Sequence, residues 1–336
     1  MAALRVYIVM RVMLMIPMVL ILLTIVFFTL RILPGDPVRA MYGAKIPPEV
    51  AEELLTEWGL NKPWHVQYID YLSGLLRGDF GISYRTKRPV LVEIFTYFPA
   101  TLELSIFSMI IAIVFGIPLG VYAAHKRGEP SDCLCRILAI SIYAMPIFWL
   151  GLMLQLMVII LDIPIPTGSR ISPLKEPTHI TGLYVLDSLL TGNVDSLVDA
   201  LSHLFLPSIT LGLVLSGVIT RMTRSNMLDT LRTDYVTAAR ARGIAEWRVL
   251  IKYAFRNAIL PVVTMTGLLF ALLLAGAVLT ENTFNWPGLG TYLVTCIANR
   301  DYPAIQGVIT FYALIVGFVS LIVDIVNALL DPRIKY

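Results

Sequence analysis

The stretch Arg221 to Pro261, RMTRSNMLDTLRTDYVTAARARGIAEWRVLIKYAFRNAILP, is a polar insertion in a strongly apolar chain, with eight Lys or Arg against three Asp or Glu. Apolar runs flank it on both sides. Over the whole chain of 336 residues, 57% are apolar and 15% charged, with mean hydropathy +0.77. Soluble domains carry about 25% charged residues, so this composition excludes one and indicates an integral membrane protein. Three cysteines, Cys133, Cys135 and Cys296, supply neither a disulfide framework nor a four-cysteine metal site. Cys133 and Cys135 are separated by one residue and read as ordinary thiols.

Working outward, the apolar runs predict six spanning helices: Val12–Leu30, Leu104–Ala124, Ile137–Leu161, Leu204–Thr220, Ile259–Thr280 and Ala304–Leu330. The first is too long for the core of a secretory signal and reads as an uncleaved anchor. It stops at Leu33-Pro34-Gly35-Asp36-Pro37. Pro118, Pro146 and Pro207 interrupt later spans, which membrane helices tolerate. Gly116, Gly120, Gly151, Gly212, Gly217 and Gly276 suit close helix contact. Two polar segments remain between spans. Residues 34–99 predict a small helical domain, with one helix opened by Pro47-Pro48 and stopped by Gly59, and a second carrying Trp64, Tyr68, Tyr71, Leu72 and Leu75 on one face. That aromatic face reads as a small core or a foot in the headgroup layer. Residues 162–203 read as a loop, because Asp187, Asp195 and Asp199 argue against spanning.

Charge orients these spans. With the N-terminus inside, the inside segments (1–11, 125–136, 221–256, 331–336) hold 15 Lys or Arg and 6 Asp or Glu. The outside segments (34–99, 162–203, 281–303) hold 10 and 15. Positively charged loops face the cytoplasm. Both termini and the 221–261 stretch are therefore expected there, with residues 34–99 outside.

Within the stretch, Leu228, Leu231, Tyr235 and Ala238/Ala239 share one helical face; Gly243 stops that helix, and a second begins with Trp247, Leu250/Ile251, Ala254 and Ala258 in register. Helix, glycine corner and helix would stand out of the bilayer. Taken alone, this pattern leaves two readings open, a docking element for a partner or a basic loop held by lipid headgroups. Elsewhere, Glu103 reads as a structural ion pair, Asp324 as a partner for a basic residue of the 221–261 stretch near the Asp331-Pro332-Arg333 exit, and Arg31 as a snorkelling side chain. Trp286-Pro287-Gly288 predicts a partly re-entrant outer turn. His65, His125, His179 and His203 are scattered without metal-ligand spacing.

Thr237-Ala238-Ala239, three residues, Gly243 and the later Leu260-Pro261 resemble the EAA signature of ABC-importer permeases, in the form of the dipeptide/oligopeptide/nickel family. Thr237 stands where the family usually has an acid. The long gap from Gly243 to Leu260-Pro261 resembles the peptide branch. Further matches run in the family's order: Gly59-Leu60-Asn61-Lys62-Pro63, Gly78-Asp79-Phe80-Gly81, Ala100-Thr101-Leu102-Glu103-Leu104, Pro146-Ile147-Phe148-Trp149, Arg221-Met222-Thr223-Arg224-Ser225, Trp286-Pro287-Gly288-Leu289-Gly290 and Arg300-Asp301-Tyr302-Pro303. The large first outer segment resembles the B-type subunit, the first chain of a dipeptide permease.

The resemblance implies an all-α, six-helix type I importer permease: helix 1 within residues 1–33, an extracytoplasmic domain over 34–99, and a permease core over 100–336 that contains the coupling loop 221–261. It implies a multi-pass protein of the cell membrane, paired with a second homologous permease, two ABC ATPase subunits and an extracytoplasmic substrate-binding protein, and no nucleic acid. The chain has no G-x-x-x-x-G-K-[ST] segment to cradle phosphates. ATP and Mg would be bound by the partner ATPases, with no cofactor or catalytic residue in this chain. Asp234, Ala238, Ala239, Gly243 and Glu246 are the implied contact and corner residues, with Arg240 and Arg242 beside them and Thr237 at the acid's position. Di- and oligopeptides are the implied cargo; relatives also carry oligosaccharides, nickel chelates or glutathione. A passive channel is the reading from a different class, and the spans supply no clear polar ring for one.

Overall fold

A computed structural model describes residues 2–32, 37–42 and 46–330. The segment 33–36 of the proline-rich stop and the Asp331-Pro332-Arg333 exit lie outside the described residues. In chain order the helices are α1 (Ala2–Ile32), α2 (Pro37–Tyr42), α3 (Pro48–Glu57), α4 (Trp64–Leu76), α5 (Val90–His125), α6 (Pro130–Ala144), α7 (Ile147–Ile160), α8 (Tyr184–Thr191) and α9 (Val194–Leu231). They continue as α10 (Asp234–Ala241), α11 (Glu246–Arg248), a π-helical turn (Val249–Phe255), α12 (Arg256–Leu274), α13 (Val278–Thr283), α14 (Leu289–Ala298) and α15 (Tyr302–Leu330). The described residues form an all-α protein. Five helical runs are long and apolar enough to cross a membrane, and a sixth crossing is supplied if the bent pair α6–α7 counts as one.

That bend corrects the third predicted span. α6 and α7 meet at 102°. Pro146 clashes with helical backbone at the residue before it, and Met145 accordingly sits at ψ 135°. Pro118 and Pro207 carry the same local penalty yet lie inside unbroken helices. Two boundaries also move. α5 begins at Val90, directly after Pro89, so residues 90–99 belong to the helix and not to the polar segment before it. α9 begins at Val194, where the Asn193 side chain accepts the Ser196 N–H at 3.1 Å, so the last ten residues of the expected 162–203 loop are helical.

The centre of the fold is the pairing of α5 with α9, made close by glycine. A Cβ on Gly116 would lie 2.8 Å from Ile219, one on Gly120 2.5 Å from Thr223, and one on Gly212 2.6 Å from Ile111. Helix backbones so near one another gain contact over their whole length. Gly217 likewise admits the Ala139 carbonyl of α6, and Gly151 admits the Phe284 ring. Gly276 has a different role. At φ 129° it takes a conformation that side chains rarely adopt, and α12 stops at Leu274, short of the expected Thr280.

α1 packs along α15, and Arg11 Nε lies 3.2 Å from Asp324. Asp324 thus pairs with the first helix and not with the stretch 221–261. Arg31 does not snorkel: it hydrogen-bonds Gln67 Oε1 at 3.0 Å and lies over the Phe27 ring at 3.5 Å. On α4, Tyr68 and Tyr71 face the bundle, where Tyr68 bonds the Thr24 hydroxyl at 2.6 Å and Tyr71 bonds Thr310 at 3.1 Å, while Trp64 is exposed.

Candidate functional site

The stretch 221–261 forms a hairpin at one end of the bundle. α9 carries the chain past Arg221 to Leu231 without interruption, and the helix ends where Thr233 turns extended at ψ 151°. The single face expected from Leu228 to Ala239 is therefore split across two helices. α10 places Asp234 in its first turn, where a carboxylate meets the positive end of the helix dipole. Gly243 then turns the chain at φ 72°. Its N–H donates to Arg240 O at 2.9 Å and the Ile244 N–H to Ala239 O at 3.4 Å, the paired bonds of a glycine helix stop. A Cβ there would meet nothing within 4 Å, so backbone conformation and not space favours glycine.

Val236 and Ala239 on α10 pack against Val249, with Leu231, Ile244 and Tyr253 around them. A second cluster, Met227, Leu250, Ala254 and Ala258 with Ala124, holds the returning helix against α5 and α9. Arg240 and Glu246 close the mouth of the hairpin by a two-bonded ion pair at 2.7 and 3.2 Å. Asn257 donates to the Tyr235 hydroxyl at 2.8 Å.

Seven of the eight sequence-derived residues, Asp234, Thr237, Ala238, Arg240, Arg242, Gly243 and Glu246, are exposed along this hairpin. Ala239 is buried in its core. Trp247 and Ile251 do not join the buried stripe with Leu250; they are exposed, as is Tyr235. Leu250, Ala254 and Ala258 keep the buried stripe, and Trp247 and Ile251 lie beside it on a second face. The i, i+4 spacing of Trp247 and Ile251 was the signal available in the sequence for this second, outward face.

The opposite end is built from buried polar groups. Glu103, on α5, receives Arg170 Nη2 at 2.8 Å and the Val185 N–H at 2.7 Å, and the Arg170 guanidinium lies 3.8 Å from the centre of the Tyr184 ring. Glu103 is thus structurally paired. Asp187 takes the N–H groups of Ile180, Thr181 and Gly182 and the Thr181 hydroxyl. Burial pushes this carboxyl up, but the four bonds outweigh burial and hold it below the usual carboxylate range. Asp199 accepts the Ser172 N–H at 2.7 Å and its hydroxyl at 2.9 Å, and His203 Nε2 lies 3.2 Å from that hydroxyl.

Trp286, expected in a re-entrant turn, is buried, and its indole N–H donates to Ala100 O at 2.9 Å. Beside it Glu281 is fully buried, taking the Thr101 hydroxyl at 2.6 Å and the Thr291 N–H at 2.9 Å. Its carboxylate occupies the space that side chains at Gly288 and Gly290 would need. Among the described residues no three His, Cys, Asp or Glu side chains come together as metal ligands would.

Residues 116–336 match the family described as "Binding-protein-dependent transport system inner membrane component", and residues 4–105 match its N-terminal counterpart. The chain is 42% identical over 334 residues to the dipeptide transport system permease protein DppB of Escherichia coli (strain K12), covering 98% of both chains. It is 44% identical over 311 residues to the di/tripeptide transport system permease protein DppB of Pseudomonas aeruginosa (strain UCBPP-PA14), covering 92% of this chain and 93% of the other. With the glutathione transport system permease protein GsiC of Salmonella typhimurium the identity is 37% over 330 residues, covering 98% and 99%. Fold, motif order and full-length similarity agree: the chain is a multi-pass membrane transport subunit, not an enzyme, and belongs to the family of binding-protein-dependent transport system inner membrane components, the ABC-importer permeases.

Proposed function

We propose that this chain forms half of the translocation pathway of an ATP-driven importer of di- and oligopeptides and receives the work of ATP hydrolysis through the hairpin of α10 and residues 246–261. The observation that carries this reading is the hairpin's construction. Its small core of Val236, Ala239 and Val249 keeps it folded, and it presents Ala238, Trp247, Ile251 and several arginines to solvent. An apolar patch with a basic rim suits a groove on another protein lined by apolar and acidic groups. The charge balance favours a cytoplasmic hairpin and cytoplasmic termini, with the helices between α1 and α5 on the outer face. Two ABC ATPases would then bind the hairpin of this chain and that of a second permease, and hold the ATP and Mg. An external binding protein would deliver cargo to the opposite end. Peptide is favoured because the relatives named above are permeases for dipeptides, di/tripeptides and glutathione, itself a tripeptide.

The test is reconstitution with the partner subunits. Gly243→Val forces a branched side chain into positive φ; Ala238→Trp leaves the backbone alone and blocks close approach. Both variants are expected to insert normally, to lose import and to leave ATPase activity no longer stimulated by loaded binding protein. Unchanged transport in Ala238→Trp would overturn the hairpin's role. Import of labelled oligosaccharide in place of dipeptide would overturn the cargo alone, and flux through the isolated chain without ATPases would favour a channel.

A further inference from the structure

About three turns before the hairpin on α9, where the apolar runs of α6 and α9 give way to charge, a cavity of about 250 Å³ opens between these helices. Arg136, Arg221 and Arg224 line it together with Ser225. Arg224 is held by Asp132 through two bonds, at 2.7 and 2.8 Å, and Arg136 lies 3.7 Å from the same carboxylate. Arg221 has no carboxylate partner among the described residues; its guanidinium lies 5.6 Å from the centre of the Tyr143 ring. Of the three guanidinium groups lining the cavity, two share the single Asp132 carboxylate and Arg221 has none, which leaves an excess positive charge beside an apolar wall. The same wall continues outward along α6 as Ile137, Ile140 and Tyr143, all exposed.

We propose that this cavity binds the headgroup phosphate of an anionic phospholipid, with Arg221, Arg136 and the Ser225 hydroxyl as donors and the acyl chains lying over Ile137, Ile140 and Tyr143. Basic pockets between spanning helices at the headgroup level are suited to such lipids. Arg224 positions the site, its charge already committed to Asp132. A free phosphate would satisfy the arginines and leave the apolar wall uncovered; a lipid covers both. The proposal concerns α6 and α9 and does not depend on what the hairpin binds.

The experiment is native mass spectrometry of the intact transporter complex, loaded with phosphatidylglycerol or with phosphatidylcholine of the same acyl chains. Preferential retention of phosphatidylglycerol is expected, weakened ~5-fold by Arg221→Gln and again by Arg136→Gln, from about one arginine's worth of attraction each. Arg77→Gln, an exposed arginine of the 34–99 segment, should change nothing. Equal retention of the two lipids, or indifference to both cavity variants, overturns the proposal. So does full competition by inorganic phosphate, which would make this a free-anion site, or cross-linking of Arg221 to an acidic segment of a partner subunit. Should a variant fail to assemble, a lipid with a photoreactive group at its headgroup settles the matter in the wild-type complex: label on α6 and α9 supports the site, and label elsewhere overturns it.

Discussion

The two ends of this molecule are held by different physics. At the hairpin, a few small apolar side chains and one exposed ion pair fix the chain; at the opposite end, carboxylates without solvent access are each surrounded by donors. Glu103 with Arg170 and Asp187 with its turn belong to the second kind. Buried charges tolerate no loose partner, because an unpaired ion in a low dielectric costs several kcal/mol. Exposed pairs lose little when parted. The contrast separates an end whose geometry is fixed from one whose contacts part at little cost.

The largest break in this contrast is expected from Arg170→Met. It strands the Glu103 carboxylate and should cost about 3–5 kcal/mol, read as a lowered thermal unfolding midpoint in detergent. Adding Glu103→Gln should recover much of that loss, since both charges are then gone. Next comes Asp187→Asn, which weakens four bonds to a charged acceptor and should cost about 1.5–3 kcal/mol at neutral pH. Its pH dependence has a definite sign. The folded carboxyl sits below its unfolded value of about 3.9, so its contribution is complete above that value and disappears as pH falls through the depressed one. Melting curves of wild type and variant should therefore converge only in strong acid; convergence near pH 5 would refute the assignment. The smallest effect belongs to Arg240 and Glu246, whose side chains are 43% and 42% exposed. A double-mutant cycle there should yield about 0.2–1 kcal/mol, and a larger coupling would erase the distinction between the ends.

The apolar runs and the glycine corner were legible in the sequence because each depends on neighbours a few residues away. Length and hydropathy alone located the spans, and Gly243 announced a turn. What escaped depends on distant partners. Nothing near Pro146 distinguishes it from Pro118 or Pro207, and only packing decides which proline breaks a helix. As bare charges Asp195 and Asp199 argue against spanning, yet Ser172 and Lys175, far back in the chain, face the Asp199 carboxylate. Arg170 lies 67 residues from Glu103, so the ion pair could be expected on one side and its partner not named. At the hairpin, exposure of the implied residues follows from local pattern, while the choice of Leu250 over Ile251 for the buried face depends on Ala124 and Met227, far away in the chain.

α9 has one further consequence. Its 38 residues run from Val194, beside the polar network, to Leu231 at the hairpin. At 1.5 Å per residue that is about 57 Å of unbroken helix. A tilt of about one degree over such a length displaces its far end by about 1 Å, a third of a hydrogen-bond length. The helix is in effect a long pointer, and a small rotation at one end arrives at the Asp199 and Ser172 pairing as a displacement those bonds must either resist or follow.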